Sequence, residues 1–215
     1  MPPARTTLPA RKTTSAATAP FDPARAPDYP AVIGCDEVGR GALCGPVVVA
    51  AVWFAPASLP PDLLAALDDS KRVPEPVRVR LAPLIRTHGR VAVAAGSRAL
   101  IDRINIRAAT LDAMARAVAR LGLDAPVLVD GRDALPGLPG RAVVGGDRLV
   151  PQIAAASIVA KVFRDDLMRR LAGRHPGYGW ERNVGYGTAI HRAGLTKLGR
   201  SPHHRLSFTR GFDRT

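Results

Sequence analysis

The feature that most constrains this chain is the stretch 150–171, which reads as one long helix whose first half, 153–162, is apolar or small nearly all round. A helix with a polar side can lie on a surface, whereas one without it must be covered on every side. The alanines Ala154, Ala155 and Ala156 permit close backbone approach, so this helix is expected to be buried against a sheet. The rest of the chain can supply that sheet. Residues 31–36 and 46–54 read as strands on either side of the glycine-rich turn Gly39-Arg40-Gly41, and 90–95 as a third. Residues 126–130 form a short apolar strand ending in an acid, and 141–144 a candidate fifth.

Further helices fill the intervals. Residues 74–87 read as one. Asn105 can cap another, on which Leu111, Met114, Val118 and Leu121 recur at three- and four-residue spacing before Gly122. Residues 188–198 form a third, with Thr188 as cap and Gly199 past its end. Three early strands followed by strands alternating with helices imply an α/β fold, a central mixed sheet flanked by helices.

With 215 residues, 47% of them hydrophobic, the chain can bury a real core. Residues 1–29 are rich in Pro, Ala, Thr and Arg and are expected to be a disordered tail. They lack the apolar segment of a secretory signal, although their arginine-rich, acid-poor start faintly resembles an organellar transit peptide. The longest apolar stretch, 46–60, is too short and too proline-interrupted to span a membrane. Cys35 and Cys44, the two cysteines, suit buried small hydrophobes in a reducing, cytoplasmic compartment better than a disulfide framework or a zinc site.

Net charge is +13, which favours a polyanionic partner but equally fits a surface merely rich in arginine. Part of it is localised. From position 172 onward eight Lys and Arg face two acids, interleaved with Tyr178, Trp180, Tyr186 and Phe208, a pattern suited to tracking a nucleic-acid backbone. His191, His203 and His204 lie in this region and are expected to serve structure or phosphate contact before catalysis.

Four acids stand at the ends of apolar elements: Asp36, Glu37, Asp130 and Asp147. Any one alone would read as a cap or turn former. Four together are different, because clustered carboxylates repel and their burial calls for a cation. Oxygen-only ligands suit magnesium or manganese. One difficulty is visible at once: neighbours on a strand point to opposite faces, so Asp36 and Glu37 cannot both face one ion in regular geometry. Either the strand ends there or Glu37 reaches round.

The run from Gly34 through Cys35-Asp36-Glu37-Val38-Gly39-Arg40-Gly41 to Val47 resembles the signature of ribonuclease HII, the type 2 ribonuclease H. The resemblance continues through Asp69-Ser70-Lys71, Ile101-Asp102 with Asn105-Ile106, Val129-Asp130-Gly131 and Gly146-Asp147. It extends over Ala155-Ala156-Ser157-Ile158-Val159-Ala160-Lys161-Val162, Arg164-Asp165, Gly185-Tyr186-Gly187-Thr188 and Ser201-Pro202-His203-His204-Arg205. It therefore spans roughly residues 31 to 208.

This resemblance implies a ribonuclease H-like fold with a five-stranded mixed sheet, a catalytic domain over 30–172 and a basic C-terminal helical extension over 173–215. It also implies that Asp36, Glu37, Asp130 and Asp147 are the catalytic and metal-binding acids. Gly39-Arg40-Gly41 matches the segment that contacts the ribose 2′-hydroxyl, and Tyr186 the tyrosine on the DNA-side sugar of an RNA–DNA junction. Ser70 and Lys71 either bind a phosphate, which the resemblance favours mildly, or belong to a solvated loop, and Lys161 is either a charge near the metal centre or a surface lysine. The implied activity is two-metal (Mn2+ or Mg2+) endonucleolytic cleavage of RNA in RNA–DNA hybrids and 5′ to single ribonucleotides in duplex DNA, as in ribonucleotide excision repair. The expected enzyme is a cytoplasmic monomer without membrane attachment. Gly145 departs from the family's usual lysine, Phe163 from threonine and Val38 from alanine, and none of these removes an acid. Type 3 enzymes carry Thr where this chain has Arg40. The competing expectations are a non-catalytic hybrid-binding protein and a DNA-directed nuclease of the same fold.

Overall fold

The computed structural model describes residues 30–212; the expected tail, 1–29, lies outside the described residues. In chain order the elements are β1 (Val32–Val38), β2 (Val47–Phe54), α1 (Pro61–Ala65), α2 (Glu75–His88), β3 (Arg90–Gly96), α3 (Arg98–Ile104) and α4 (Ile106–Leu121). There follow β4 (Val127–Asp130), β5 (Gly140–Val143), α5 (Gly146–Leu149), α6 (Pro151–Arg174), α7 (Trp180–Asn183) and α8 (Ala189–Leu198).

The five strands form one sheet in the order β3-β2-β1-β4-β5. β1 pairs antiparallel to β2 and β2 to β3, whereas β1–β4 and β4–β5 are parallel. The sheet is mixed, as the pattern of elements implies. β2 is apolar at every position because both of its faces are covered. Val48, Ala50, Val52 and Phe54 pack with the alanines of α6 and with Leu81 and Ile85 of α2. Val49 and Ala51 turn the other way and join Ile33, Cys35, Ala113, Met114, Ala117 and Val118 against α4.

The long helix is buried as its composition requires: Ile153, Ala154, Ala155, Ala156, Ile158 and Ala160 expose no surface. The close approach depends on the strand as well. A Cβ added at Gly34 would lie 2.3 Å from the carbonyl carbon of Gln152, so β1 can meet the start of α6 only through a glycine. α6 runs to Arg174, three residues past its expected end. Its last turns leave the sheet, and Met168 and Ala172 pack with Cys44, Tyr178, Trp180 and Leu195.

The expected caps form. Asn105 Oδ1 accepts from Ala108 N at 3.0 Å and Thr188 Oγ1 from His191 N at 3.3 Å. α3 was not expected. It starts at Ser97, whose Oγ accepts from Leu100 N, and it is separated from α4 only by Asn105 at φ 70°.

Candidate active site

Three carboxylates converge near the carboxyl edge of the sheet, where β1 and β4 run side by side. Oxygens of Asp36, Asp130 and Asp147 all lie within 4.8 Å of one another. β1 and β4 are parallel and in register at Cys35 and Val129, so the next residue of each strand, Asp36 and Asp130, sits at the same level on the face toward α6. Asp147 arrives from α5, which follows Gly145 at φ 66°. The amide of Gly146 donates to Asp130 Oδ1 at 2.8 Å, tying the base of α5 to the end of β4. The backbone N–H of Glu37 donates to Asp36 Oδ1 at 2.7 Å.

Ionisation of Asp36 and Asp147 is opposed by their surroundings. Burial, then the neighbouring charges of Glu37 and Asp130, push the Asp36 carboxyl well above the usual carboxylate range. Asp147 is pushed up to about 6 by burial first, then by Asp130 and by Asp69, with which it shares a hydrogen bond. A cluster of oxygen donors this close, with no nitrogen or sulfur among them, fits a hard divalent cation, which would remove the repulsion.

Glu37 is not in that trio. β1 continues through Val38, with Glu37 opposite Val49 of β2, so the strand does not end at the acids and Glu37 points toward the α4 side. It nevertheless stands at the rim, lining both the cleft that holds the other acids and the smaller one under α4. Its Oε1 is held by Arg40 Nη1 at 3.3 Å. Burial raises its pKa and Arg40 works against that rise.

The cleft, of about 410 Å³, is lined by Asp36, Glu37, Asp130 and Asp147 and also by Gly39, Arg40, Gly41, Ser70, Lys71, Lys161 and Tyr186. All of the expected site residues are thus brought to one concavity. Ser70 is buried, its N–H donating to Ser157 Oγ, whereas Lys71 is exposed. Lys161 is half-buried, and its Nζ donates to the buried Asp165 at 2.9 Å. Asp69, the neighbour of Ser70 and Lys71 in sequence, stands beside Asp147.

The two glycines of Gly39-Arg40-Gly41 differ. Gly39 has φ 89°, and a Cβ there would fall 2.0 Å from Arg164 Nε, so fold alone demands glycine. At Gly41 the backbone is outside the left-handed region and an added Cβ would meet nothing within 4 Å. A tight turn accounts for the first and not for the second.

His191 and His204 are held in a hydrogen-bond network with buried neighbours. Tyr186 O accepts from His191 Nδ1 (3.0 Å), which leaves His191 Nε2 to accept from Trp180 Nε1 and His204 Nε2, each at 3.0 Å. His204 Nδ1 in turn accepts from Ser201 N at 2.8 Å. Cys44 lies near both rings, but each ring nitrogen already has a partner, and the trio reads as packing. Burial, then His191, pushes His204 down to about 4.

Two arginines, Arg164 and Arg205, are fully buried, which charge and spacing do not predict. Arg164 donates to the carbonyls of Pro46, Val184 and Cys44, and Arg205 to those of Gly45, Arg40 and Gly39. Nothing in a single sequence separates such an arginine from a solvated one, since the acceptors are backbone carbonyls up to 166 residues away.

A five-stranded mixed sheet with carboxylates at adjoining ends of two parallel central strands, and another on the helix that follows, belongs to the ribonuclease H-like class. A family model described as Ribonuclease HII matches residues 33–211. The ribonuclease HII of Rhodospirillum rubrum is 56% identical over 182 residues, spanning 82% of this chain and 83% of that protein. That of Paramagnetospirillum magneticum is 54% identical over 180 residues, spanning 82% and 89%. Among solved structures, ribonuclease HII of Archaeoglobus fulgidus, determined in complex with PCNA, matches with a TM-score of 0.70 at 27% identity, covering 85% of this chain and 97% of that one. The chain belongs to the ribonuclease HII family.

Proposed function

We propose that this protein is an endonuclease that hydrolyses the RNA strand of RNA–DNA hybrids and cuts 5′ to single ribonucleotides embedded in duplex DNA, leaving 5′-phosphate and 3′-hydroxyl ends. The observation that carries this reading is the convergence of Asp36, Asp130 and Asp147 within 4.8 Å in the same cleft as Gly39-Arg40-Gly41 and Tyr186.

Asp36, Asp130 and Asp147 would hold divalent ions, Mg2+ or Mn2+, with Glu37 joining from the rim once released by Arg40. Held by these acids, a pair of such ions would supply activation of the attacking water and stabilisation of the leaving 3′-oxygen. The chain's own residues do the rest. Gly41, which the fold leaves free to carry a side chain, keeps that space open for a ribose, and only a 2′-hydroxyl marks a nucleotide as RNA. The ring of Tyr186, stacked under Arg164 at 5.5 Å, suits a deoxyribose and would crowd a hydroxyl. Ser70 and Lys71 line the same cleft and would meet a phosphate there.

The basic residues 173–212 would carry the duplex beyond the cleft. Among the described residues no helix is long and apolar enough to cross a membrane. We take the enzyme to act as a cytoplasmic monomer in ribonucleotide excision repair.

The test is a duplex carrying one ribonucleotide, an RNA–DNA hybrid and an all-DNA duplex, each with Mg2+, Mn2+ or EDTA. Cleavage of the first two only, with either metal and not in EDTA, is expected. Asp36→Asn or Asp130→Asn should lower single-turnover rates by at least a thousandfold, on the order of 4 kcal/mol, while substrate binding persists. Full activity in either variant would sink the assignment.

A further inference from the structure

Arg205 lies in the C-terminal segment, 165 positions from Arg40, yet its guanidinium is fully buried behind the Gly39-Arg40-Gly41 loop. All three of its nitrogens donate to backbone: Nη2 to Gly39 O (2.7 Å), Nη1 to Arg40 O (2.8 Å) and Nε to Gly45 O (3.0 Å). The surrounding backbone repeats the tie, with Arg205 N donating to Leu43 O and Gly45 N to His203 O, each at 2.9 Å.

The consequence lies on the other side of each peptide. A trans peptide is planar and its N–H points opposite its C=O. Gly39 O shares a peptide plane with Arg40 N–H, and Arg40 O with Gly41 N–H. Fixing the two carbonyls on one rigid cation therefore fixes two N–H donors pointing away from it, and the charge polarises both. Among the described residues neither N–H meets an acceptor, and both residues are exposed at the cleft. Gly41 adds open space beside them.

We propose that Arg205 is a positioning residue for ribose selectivity: from behind the loop it orients the N–H groups of Arg40 and Gly41 as a paired donor for a nucleotide's 2′-oxygen. The C-terminal extension thus helps to set which sugar the catalytic cleft accepts. The inference rests on the reading of Gly39-Arg40-Gly41 as the ribose-contacting segment.

The experiment compares dissociation constants, in EDTA, for duplex DNA with and without one ribonucleotide. Wild-type protein is expected to prefer the ribonucleotide. Arg205→Lys, which replaces a three-way fork by a point donor, should lower that preference about tenfold while affinity for all-DNA duplex stays unchanged. Ile85→Ala, a core truncation remote from the loop, supplies matched loss of melting temperature and should leave the preference intact. No preference in wild type would overturn the reading of the loop itself. Preference in wild type retained by Arg205→Lys, or lost equally by Ile85→Ala, would overturn the role of Arg205 alone. Should Arg205→Lys fail to fold, the wild-type amide resonances of Arg40 and Gly41 decide. They should shift downfield with the 2′-hydroxyl duplex and not with its 2′-deoxy counterpart, and equal response to both would refute the proposal.

Discussion

The carboxylate cluster that would bind metal strains the metal-free fold, and Asp147→Asn measures by how much. Its carboxyl titrates at about 6 in the folded protein against an ordinary 3.8. Below pH 3.8 it is protonated in both states and costs nothing. Between 3.8 and about 6 the folded chain still holds a proton that the unfolded chain has lost, so rising pH lowers stability, and above 6 the full cost applies. At about 1.36 kcal/mol per pH unit, that interval corresponds to at most ~3 kcal/mol. Solvent reaches part of the carboxylate, and screening brings the expectation to about 1–2 kcal/mol. Asparagine removes the charge and can still donate to Asp69, as the protonated acid does. In EDTA at pH 7 the variant should therefore melt about 2–8 °C above wild type, given ~2–4 °C per kcal/mol for a domain of this size. The difference should vanish near pH 4 and reverse with saturating Mn2+, which stabilises only the intact cluster. The difference between the two proteins is the quantity to follow, because His204 acts oppositely in the same window. Its folded value of about 4 lies below its ordinary 6.5, so its contribution to stability grows as pH rises. A variant no more stable than wild type in EDTA at pH 7, or equally stabilised at pH 4, would refute the claim that the cluster is strained without metal.

Three further outcomes follow from particular contacts. Gly34→Ala should destabilise by more than about 3 kcal/mol or prevent folding, since its Cβ would strike the backbone of α6 rather than a movable side chain; a near-native denaturation midpoint would contradict the packing described. Gly41→Ala should melt with wild type, yet cleave the single-ribonucleotide duplex at least tenfold more slowly, about 1.4 kcal/mol; equal rates would leave that glycine without a role. His204→Ala should cost about 3 kcal/mol, because Ser201 N–H and the His191 ring lose buried partners. Its metal dependence should not change, and a shifted metal requirement would show that the histidines belong to the chemistry after all.

Much of this was legible in the residues themselves. A helix with no polar side must be buried, and an acid late in an apolar run is carried toward a sheet's carboxyl edge, so α6, Asp36 and Asp130 could be placed from the residues alone, although β1 runs two residues past Asp36. The caps at Asn105 and Thr188 are local chemistry and were equally readable. α3 was not, because its seven residues show too little periodicity to stand out from a loop.

What only the tertiary structure decided is everything that depends on distant segments meeting. The alternation rule correctly put Asp36 and Glu37 on opposite faces and left open whether the strand stopped between them. The pairing with β2 carries β1 through both acids, so Glu37 reaches the cleft only as a rim residue held by Arg40. The rank of the two glycines, turn former at Gly39 and open space at Gly41, needed the position of Arg164. Arg205 is one basic residue among eight Lys and Arg in a charged C-terminal stretch. Composition reads it as a phosphate contact, whereas the fold buries it behind a loop at the other end of the chain, because carbonyls that no strand satisfies need a donor and only folding brings one there.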